Sequence, residues 1–374
     1  MAKICFQPND GPTVGVELEF ALVDARTMEL VSACPAIIER LPRELHQSVK
    51  PELMQCYIEI NSGVGETVED VRRDLRDKIE AVEKIADGLG VALYWSGSHP
   101  FSAWQDQQPT EDERYARLLD SLQDVGRQLV TFGLHVHVGV DSGDKAVMIC
   151  DRIMRYLPLF IALSCNSPWW EGRVTGLQSH RSKIMEALPT AGLPPLMRNW
   201  SEYAWLLNHL QETGFIHSIR DIWWFVRPHY NFGTVEVRVC DMPGCLDDGI
   251  ALAALAQCLV SALSEQIDEG TYQHDSHPML VRQNVWRAER YGLDAMLIHS
   301  ETLQPQSARD MLLQLIDRLA DTAAAIGAET GLERARSLAA GPTWARRQLA
   351  ALEETGDKRE AVRKMLKLSR IAPV

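Results

Sequence analysis

The sequence predicts an α+β fold, and three observations carry that reading. Short segments that alternate aliphatic and polar residues at period two recur between residues 12 and 245. From 246 to 374 the pattern is mostly helical. Strands gathered early and helices gathered late favour α+β over alternating α/β units. Polar strand pairs run from residue 17 to 238, so residues 1–374 are expected to form a single catalytic domain.

Val-Gly-Val-Glu17-Leu-Glu19-Phe reads as the first strand. Residues 35–45 follow as a short helix or an irregular connection, and 52–61 return as a strand through Cys-Tyr-Ile-Glu59-Ile-Asn61. Thr67-Val-Glu-Asp70 matches a capping box, and Val68, Val71, Leu75, Ile79, Val82 and Leu89 keep helical spacing up to Gly88 and Gly90. A strand over 91–96, a polar loop through Pro109 and a helix over 111–129 come next. Leu-His135-Val-His137-Val is a strand that leads into a long helix over 144–164. Residues 165–200 are turn-rich and aromatic, as functional loops often are. A strand over 222–227 precedes Val-Glu236-Val-Arg238-Val, which ends in Asp241-Met-Pro-Gly244. An Ala/Leu-rich buried helix over 248–267 follows, then amphipathic helices beyond 276, the last of them basic and exposed.

The net charge of −13 argues against binding a nucleic-acid backbone, which needs a basic surface. It leaves ATP open, because bound cations reverse the local field. The 8 cysteines are scattered without C-x-x-C spacing and the first ten residues hold no apolar core, so a cytoplasmic protein with free thiols is expected. No membrane association is expected either, since 251–263 is short for a bilayer span and is interrupted by Gln257.

Successive side chains of a strand face opposite ways, so the four segments each turn their polar pair to one face. In a shared sheet, Glu17, Glu19, Glu59, His135, His137, Glu236 and Arg238 would collect on one side. Two carboxylates about 7 Å apart repel by roughly 2 kcal/mol at an effective dielectric near 20. Such a face calls for cations, and oxygen-rich donors with few imidazoles suit Mg²⁺ or Mn²⁺. Each pair taken alone also fits an ordinary sheet: Glu17 and Glu19 as solvated edge charges, His135 as a core histidine, Glu236 and Arg238 as a salt bridge. P-loop, Rossmann, H-E-x-x-H and G-x-S-x-G motifs are absent from the sequence. Arg173, Arg181, Lys183 and Arg198 in the 165–200 loop are candidates for binding a carboxylate or phosphates.

The motifs together resemble glutamate–cysteine ligase family 2, bacterial carboxylate–amine ligases with weak glutamate–cysteine ligase activity. The resemblance runs through the Glu17, His135 and Glu236 segments, Ala162-Leu-Ser-Cys-Asn166-Ser-Pro, Pro189-Thr-Ala-Gly-Leu-Pro-Pro195 and Trp286-Arg-Ala-Glu-Arg-Tyr291. It implies a fold like glutamate–cysteine ligase and the glutamine synthetase catalytic domain: a curved antiparallel sheet forming an open funnel, with helices on its outer face. It also implies ATP and Mg²⁺ (or Mn²⁺) on the concave side. Glu19, Glu52 and Glu59 would form one metal site, and Glu17, His135 and Glu236 another. Arg238 would meet the γ-phosphate, with Arg173 as a second nucleotide contact. His137 would steady a metal or the activated carboxylate, and Arg181 would bind the acid substrate. Expected partners are a carboxylic acid such as glutamate, an amine such as cysteine, and a second copy of the chain in a homodimer. The chain departs from the family pattern at His180, Phe225 and Asn231, where Tyr, Asp and a basic residue are usual. Rival readings are a metal-dependent hydrolase, a nucleotide-binding protein without ligase turnover, and a solvated polar face that binds no metal.

Overall fold

A computed structural model of the chain describes residues 4–271 and 277–371. Its centre is a sheet of seven strands: β1 (Val14–Asp24), β2 (Val49–Pro51), β3 (Tyr57–Asn61), β4 (Val91–Tyr94), β5 (Gly133–Gly139), β10 (Val226–His229) and β11 (Thr234–Asp241). Two-residue strands β6 (Trp169–Trp170), β7 (Arg173–Val174), β8 (Ala191–Gly192) and β9 (Trp223–Trp224) make small ribbons within and beside the 165–200 segment. β12 (Met296–Ile298) and β13 (Pro305–Ser307) form a hairpin in the C-terminal part.

The sheet order is β10-β11-β5-β1-β3-β2, with β4 also paired to β1, and every pairing is antiparallel. It is open, in keeping with the glutamate–cysteine ligase-like architecture expected from the sequence. The register places Glu17 opposite His135 and Asn61, Glu19 opposite Glu59, and Glu236 opposite His137 and Arg227. Leu18, Ile60, Leu134, Val136 and Val237 pair among themselves on the other face and are all buried.

Between Val237 and Cys240 the register slips, so Arg238 and Val239 together face His135. This bulge keeps both Arg238 and Asp241 on the polar side; a regular strand would turn Asp241 to the apolar face.

The first helices are α1 (Cys34–Arg40), α2 (Val68–Gly88), α3 (Glu113–Leu122), α4 (Asp124–Arg127), α5 (Gly143–Ile153) and α6 (Leu157–Ser164). The capping box opens α2 as expected: Thr67 Oγ1 accepts from Asp70 N, and Asp70 Oδ2 accepts from Thr67 N. Two helices that periodicity reads as continuous are broken. The 111–129 span divides at Gln123, whose φ is +50°, and the 144–164 span divides before Pro158 at the start of α6. Apolar spacing continues across both breaks, so the pattern alone does not reveal them. Residues 52–61 are also not one strand: Glu52 lies in the connection that follows β2, and β3 begins at Tyr57.

The remaining helices are α7 (Arg181–Met185), α8 (Trp200–Glu212), α9 (Leu246–Asp268), α10 (Pro278–Tyr291), α11 (Ala308–Arg318), α12 (Ala320–Ile326), α13 (Glu329–Ala340), α14 (Trp344–Thr355) and α15 (Lys358–Ser369). By length and composition α9 is apolar enough to cross a bilayer, contrary to the sequence reading, yet 67% of its apolar window is buried in the fold. It lies on the apolar face of the sheet, with Gly249 against Leu134 and Leu18. Burying each of its leucines contributes about 1.5–3 kcal/mol relative to exposure. Gln257, the polar interruption, donates from Nε2 to the carbonyls of Pro12 (2.7 Å) and Glu66 (3.0 Å). The helix thereby ties together the chain just before β1 and just before α2.

Candidate active site

The polar face of the sheet forms the floor of a cavity of about 500 Å³. Glu17, Glu19, Glu59, His135, His137, Glu236 and Arg238 all line it. Glu52 joins them from the β2–β3 connection, and Arg181 joins from α7. Walls are added by Arg114 and Tyr115 of α3, by Arg220 of a 3₁₀ turn (Ile219–Asp221), and by Trp223.

Two groups of donors draw together. Oxygens or nitrogens of Glu17, His135 and Glu236 lie within 4.8 Å of one another, as do oxygens of Glu19, Glu52 and Glu59. A cation whose donors sit at about 2.1 Å holds them about 3–4 Å apart, so each set lies within side-chain reach of a single ion.

The imidazoles are arranged to serve this floor. His135 Nδ1 lies 3.0 Å from Glu17 Oε2. An ionised carboxylate only accepts, so Nδ1 carries the proton and Nε2 presents its lone pair toward Glu19 Oε1, 3.9 Å away. His137 Nδ1 meets Thr234 Oγ1 at 3.0 Å. His137 Nε2 is buried with no hydrogen-bond partner among the described residues, 3.5 Å from Glu17 Oε1 and 3.8 Å from Glu236 Oε1.

Burial by itself would raise the Glu17 carboxyl, but His135 and His137 hold it well below the usual range. Burial likewise opposes ionisation of Glu236, and the charges of Arg227 and Arg238 more than offset it. The other group behaves in the opposite way. Burial and the charge of Glu19 push Glu52 up to about 7, and burial with Glu17 and Glu52 raises Glu59 well above its ordinary value. The donors are hard oxygens with one imidazole, under mutual repulsion, beside an orphaned buried nitrogen. That chemistry fits divalent cations such as Mg²⁺.

Arg227 is a site residue that sequence reasoning missed. It is 4% exposed, and its Nε and Nη2 grip Glu236 Oε2 and Oε1 at 2.6 and 3.1 Å. Its Nη1 donates to the carbonyls of Ile219 (2.6 Å) and Ile222. The signal was the hairpin register: Arg227 and Glu236 stand opposite each other across the turn at 230–233. Arg238 bonds Glu236 Oε1 from the other side.

At the far end of β5, Arg181 lies across Gly133, where a Cβ would overlap its guanidinium. Arg181 is 4% exposed, and its Nε has no hydrogen-bond partner among the described residues. Asp241 anchors the neighbouring loop by accepting from Asn166 N (2.9 Å), Ser167 Oγ (2.7 Å) and Ser179 Oγ (2.8 Å). Of the loop cations expected at the site, Lys183 pairs with Glu186 and Glu289, Arg198 pairs with Glu202, and neither lines the cavity; Arg173 is left outside as well. It sits exposed on the β6–β7 ribbon and does not line the cavity. A cation in a loop is visible in sequence, but the path of the loop is not.

Residues 13–366 match the model of glutamate–cysteine ligase family 2. The chain belongs to that family. It is 40% identical over 348 residues to the "Putative glutamate–cysteine ligase 2" of Gloeobacter violaceus, covering 92% of this chain and 93% of the relative. It is 38% identical over 367 residues to a protein of the same name from Thermobifida fusca, covering 97% and 92%. Among solved structures it resembles the glutamate–cysteine ligase of Francisella tularensis in complex with AMP, with a TM-score of 0.73 at 12% identity, over 97% of this chain and 90% of that one. A bifunctional glutathione synthetase from Pasteurella multocida aligns with a TM-score of 0.70 at 14% identity, over 96% of this chain and 52% of that one. These two likenesses establish the fold. For this family 2 member, family and fold together support a carboxylate–amine ligase.

Proposed function

We propose that this family 2 ligase uses ATP to activate a carboxylic acid, glutamate by kinship, and joins it to an amine through an acyl-phosphate intermediate. The observation that carries the reading is the pairing of two carboxylate-rich donor groups with Arg238 and Arg181 in one cavity. Glu19, Glu52 and Glu59 would hold one Mg²⁺, and Glu17, His135 and Glu236 another. When bound, the cations neutralise phosphate charge as the phosphoryl group moves.

The protein's own groups position and polarise. Arg227 locks the Glu236 carboxylate in one orientation. Arg238, on the cavity side of Glu236, supplies a guanidinium for phosphoryl oxygens. Arg181, with its unsatisfied Nε, fits a substrate carboxylate. His137 Nε2 sits between Glu17 and Glu236, where it can donate to an oxygen of the reacting group. The substrate carboxylate attacks the γ-phosphorus and ADP leaves; the amine then attacks the acyl carbon, and phosphate departs as the amine loses its proton. Positioning and electrostatics account for this chemistry without a protein nucleophile.

The test is ADP release with ATP, Mg²⁺ and L-glutamate, using hydroxylamine as a surrogate amine. Glutamate-dependent ADP together with a hydroxamate product is the expected result. ADP release that ignores every carboxylic acid offered would overturn acyl activation.

A further inference from the structure

The turn joining β10 to β11 stands at the rim of the cavity, and Phe232 is 58% exposed there while lining it. A lone surface aromatic is ordinary. The setting of this one is not. Its ring stacks on His229 with centroids 4.2 Å apart and planes 14° apart, and it meets His137 in a T-shape at 5.5 Å. His137 Nε2 reaches Glu17 and Glu236 at 3.5 and 3.8 Å, so a short aromatic ladder leads from the carboxylate floor to the rim.

The turn is also braced. Asn9 Nδ2 donates to the carbonyls of both Phe232 and Gly233 at 2.8 Å, and Gln7 N donates to Tyr230 O at 2.9 Å. Gly233 has φ +65°, and a Cβ there would overlap the Gln7 carbonyl oxygen. A ring fixed in this way costs little further ordering when it binds a planar ligand. Beneath it His229 is 7% exposed, and its Nδ1 has no partner among the described residues.

We propose that Phe232, backed by His229, is the stacking platform for the base of a nucleotide whose phosphates point toward Glu17 and Glu236. The proposal rests on the nucleotide-dependent reading above and deepens it by naming where the base sits. Stacking on an aromatic face tolerates any base, and its loss weakens binding about ten-fold or more.

Calorimetric titration of the full chain with ADP and with tripolyphosphate, both in Mg²⁺, tests this. Phe232→Ala and Phe232→Leu should each weaken ADP about ten-fold while tripolyphosphate binding is unchanged, and Phe232→Trp should retain ADP. The ring is at the surface, and thermal melts will show that all three variants fold. Undiminished ADP affinity in Phe232→Ala, with the native chain binding ADP, overturns the platform alone. Equal losses of ADP and tripolyphosphate also overturn it, since a base platform cannot act on a ligand without a base. A native chain that binds neither ligand removes the nucleotide-dependent reading, and the platform falls with it.

Discussion

At the scale of single residues, Glu17 and Glu236 look equivalent in sequence but are held differently. Glu17 is 22% exposed and pairs with the imidazoles of His135 and His137, whereas Glu236 is 1% exposed between Arg227 and Arg238. In Glu17→Gln the amide oxygen can still accept from His135, so the variant should melt within a few degrees of the native chain. Its Mg²⁺-dependent ADP release should fall by about 10²-fold or more if Glu17 holds a cation. Unimpaired turnover would remove Glu17 from the site. Glu236 is a poor position for the same test, because Gln there would leave buried Arg227 and half-buried Arg238 without their carboxylate. Arg227→Met reads the ion pair from the other side. It leaves a buried carboxylate short of a partner and frees the carbonyls of Ile219 and Ile222, at a cost of about 3–5 kcal/mol in urea unfolding. A midpoint equal to the native one would show that Arg238 alone satisfies Glu236. Neither distinction was visible from the Glu-x-Arg spacing, because exposure and cross-strand partners are set by the rest of the sheet.

At the scale of elements, the strands behave as their alternation implies, because a buried apolar face on one side fixes the register. The helices depend more on close approach. Gly331 of α13 packs on α9 so tightly that an added Cβ would lie 2.6 Å from the Cβ of Ala254. Gly331→Ala should therefore push the two helices apart and destabilise by about 1–3 kcal/mol, even though alanine is the better helix former. An unchanged or raised Tm would mean that α13 can shift freely against the core helix. The bulge in β11 has the same character. Nothing in Val-Glu236-Val-Arg238-Val-Cys-Asp241 announces an extra residue, yet the bulge decides that Asp241 faces the loop bearing Arg181.

At the scale of the whole molecule, one buried histidine couples global stability to pH. His99 is 2% exposed; its Nε2 donates to Met28 O at 2.9 Å, and its Nδ1 accepts from the backbone N–H of Ser102 at 2.9 Å. Burial pushes its value from 6.5 down to about 4. Between those two values the unfolded chain binds a proton that the folded chain refuses. The contribution of His99 is therefore complete above pH 6.5 and is lost as pH falls toward 4. The loss amounts to roughly 2–3 kcal/mol. Urea unfolding of the native chain and of His99→Gln across pH 4–7 should give curves that converge as the pH drops. Parallel curves would show that His99 does not titrate with unfolding.

The sequence by itself determined the α+β class, the polar face and most of its occupants, because period-two alternation is local and survives without any knowledge of neighbours. Ordered motifs along nearly the whole chain carried the family as well. Only the tertiary structure decided which donors meet. It brought Glu52 in from outside a strand, set Arg227 against Glu236, left Arg173 on an exposed ribbon, and placed Phe232 at the rim. It also placed α9 against the sheet inside the protein, although its composition alone would equally suit a bilayer. The physical reason is common to all of these. Alternation and helical spacing report which face of an element is apolar, whereas a site depends on register, bulges and loop paths, which are settled by contacts between residues far apart in the chain.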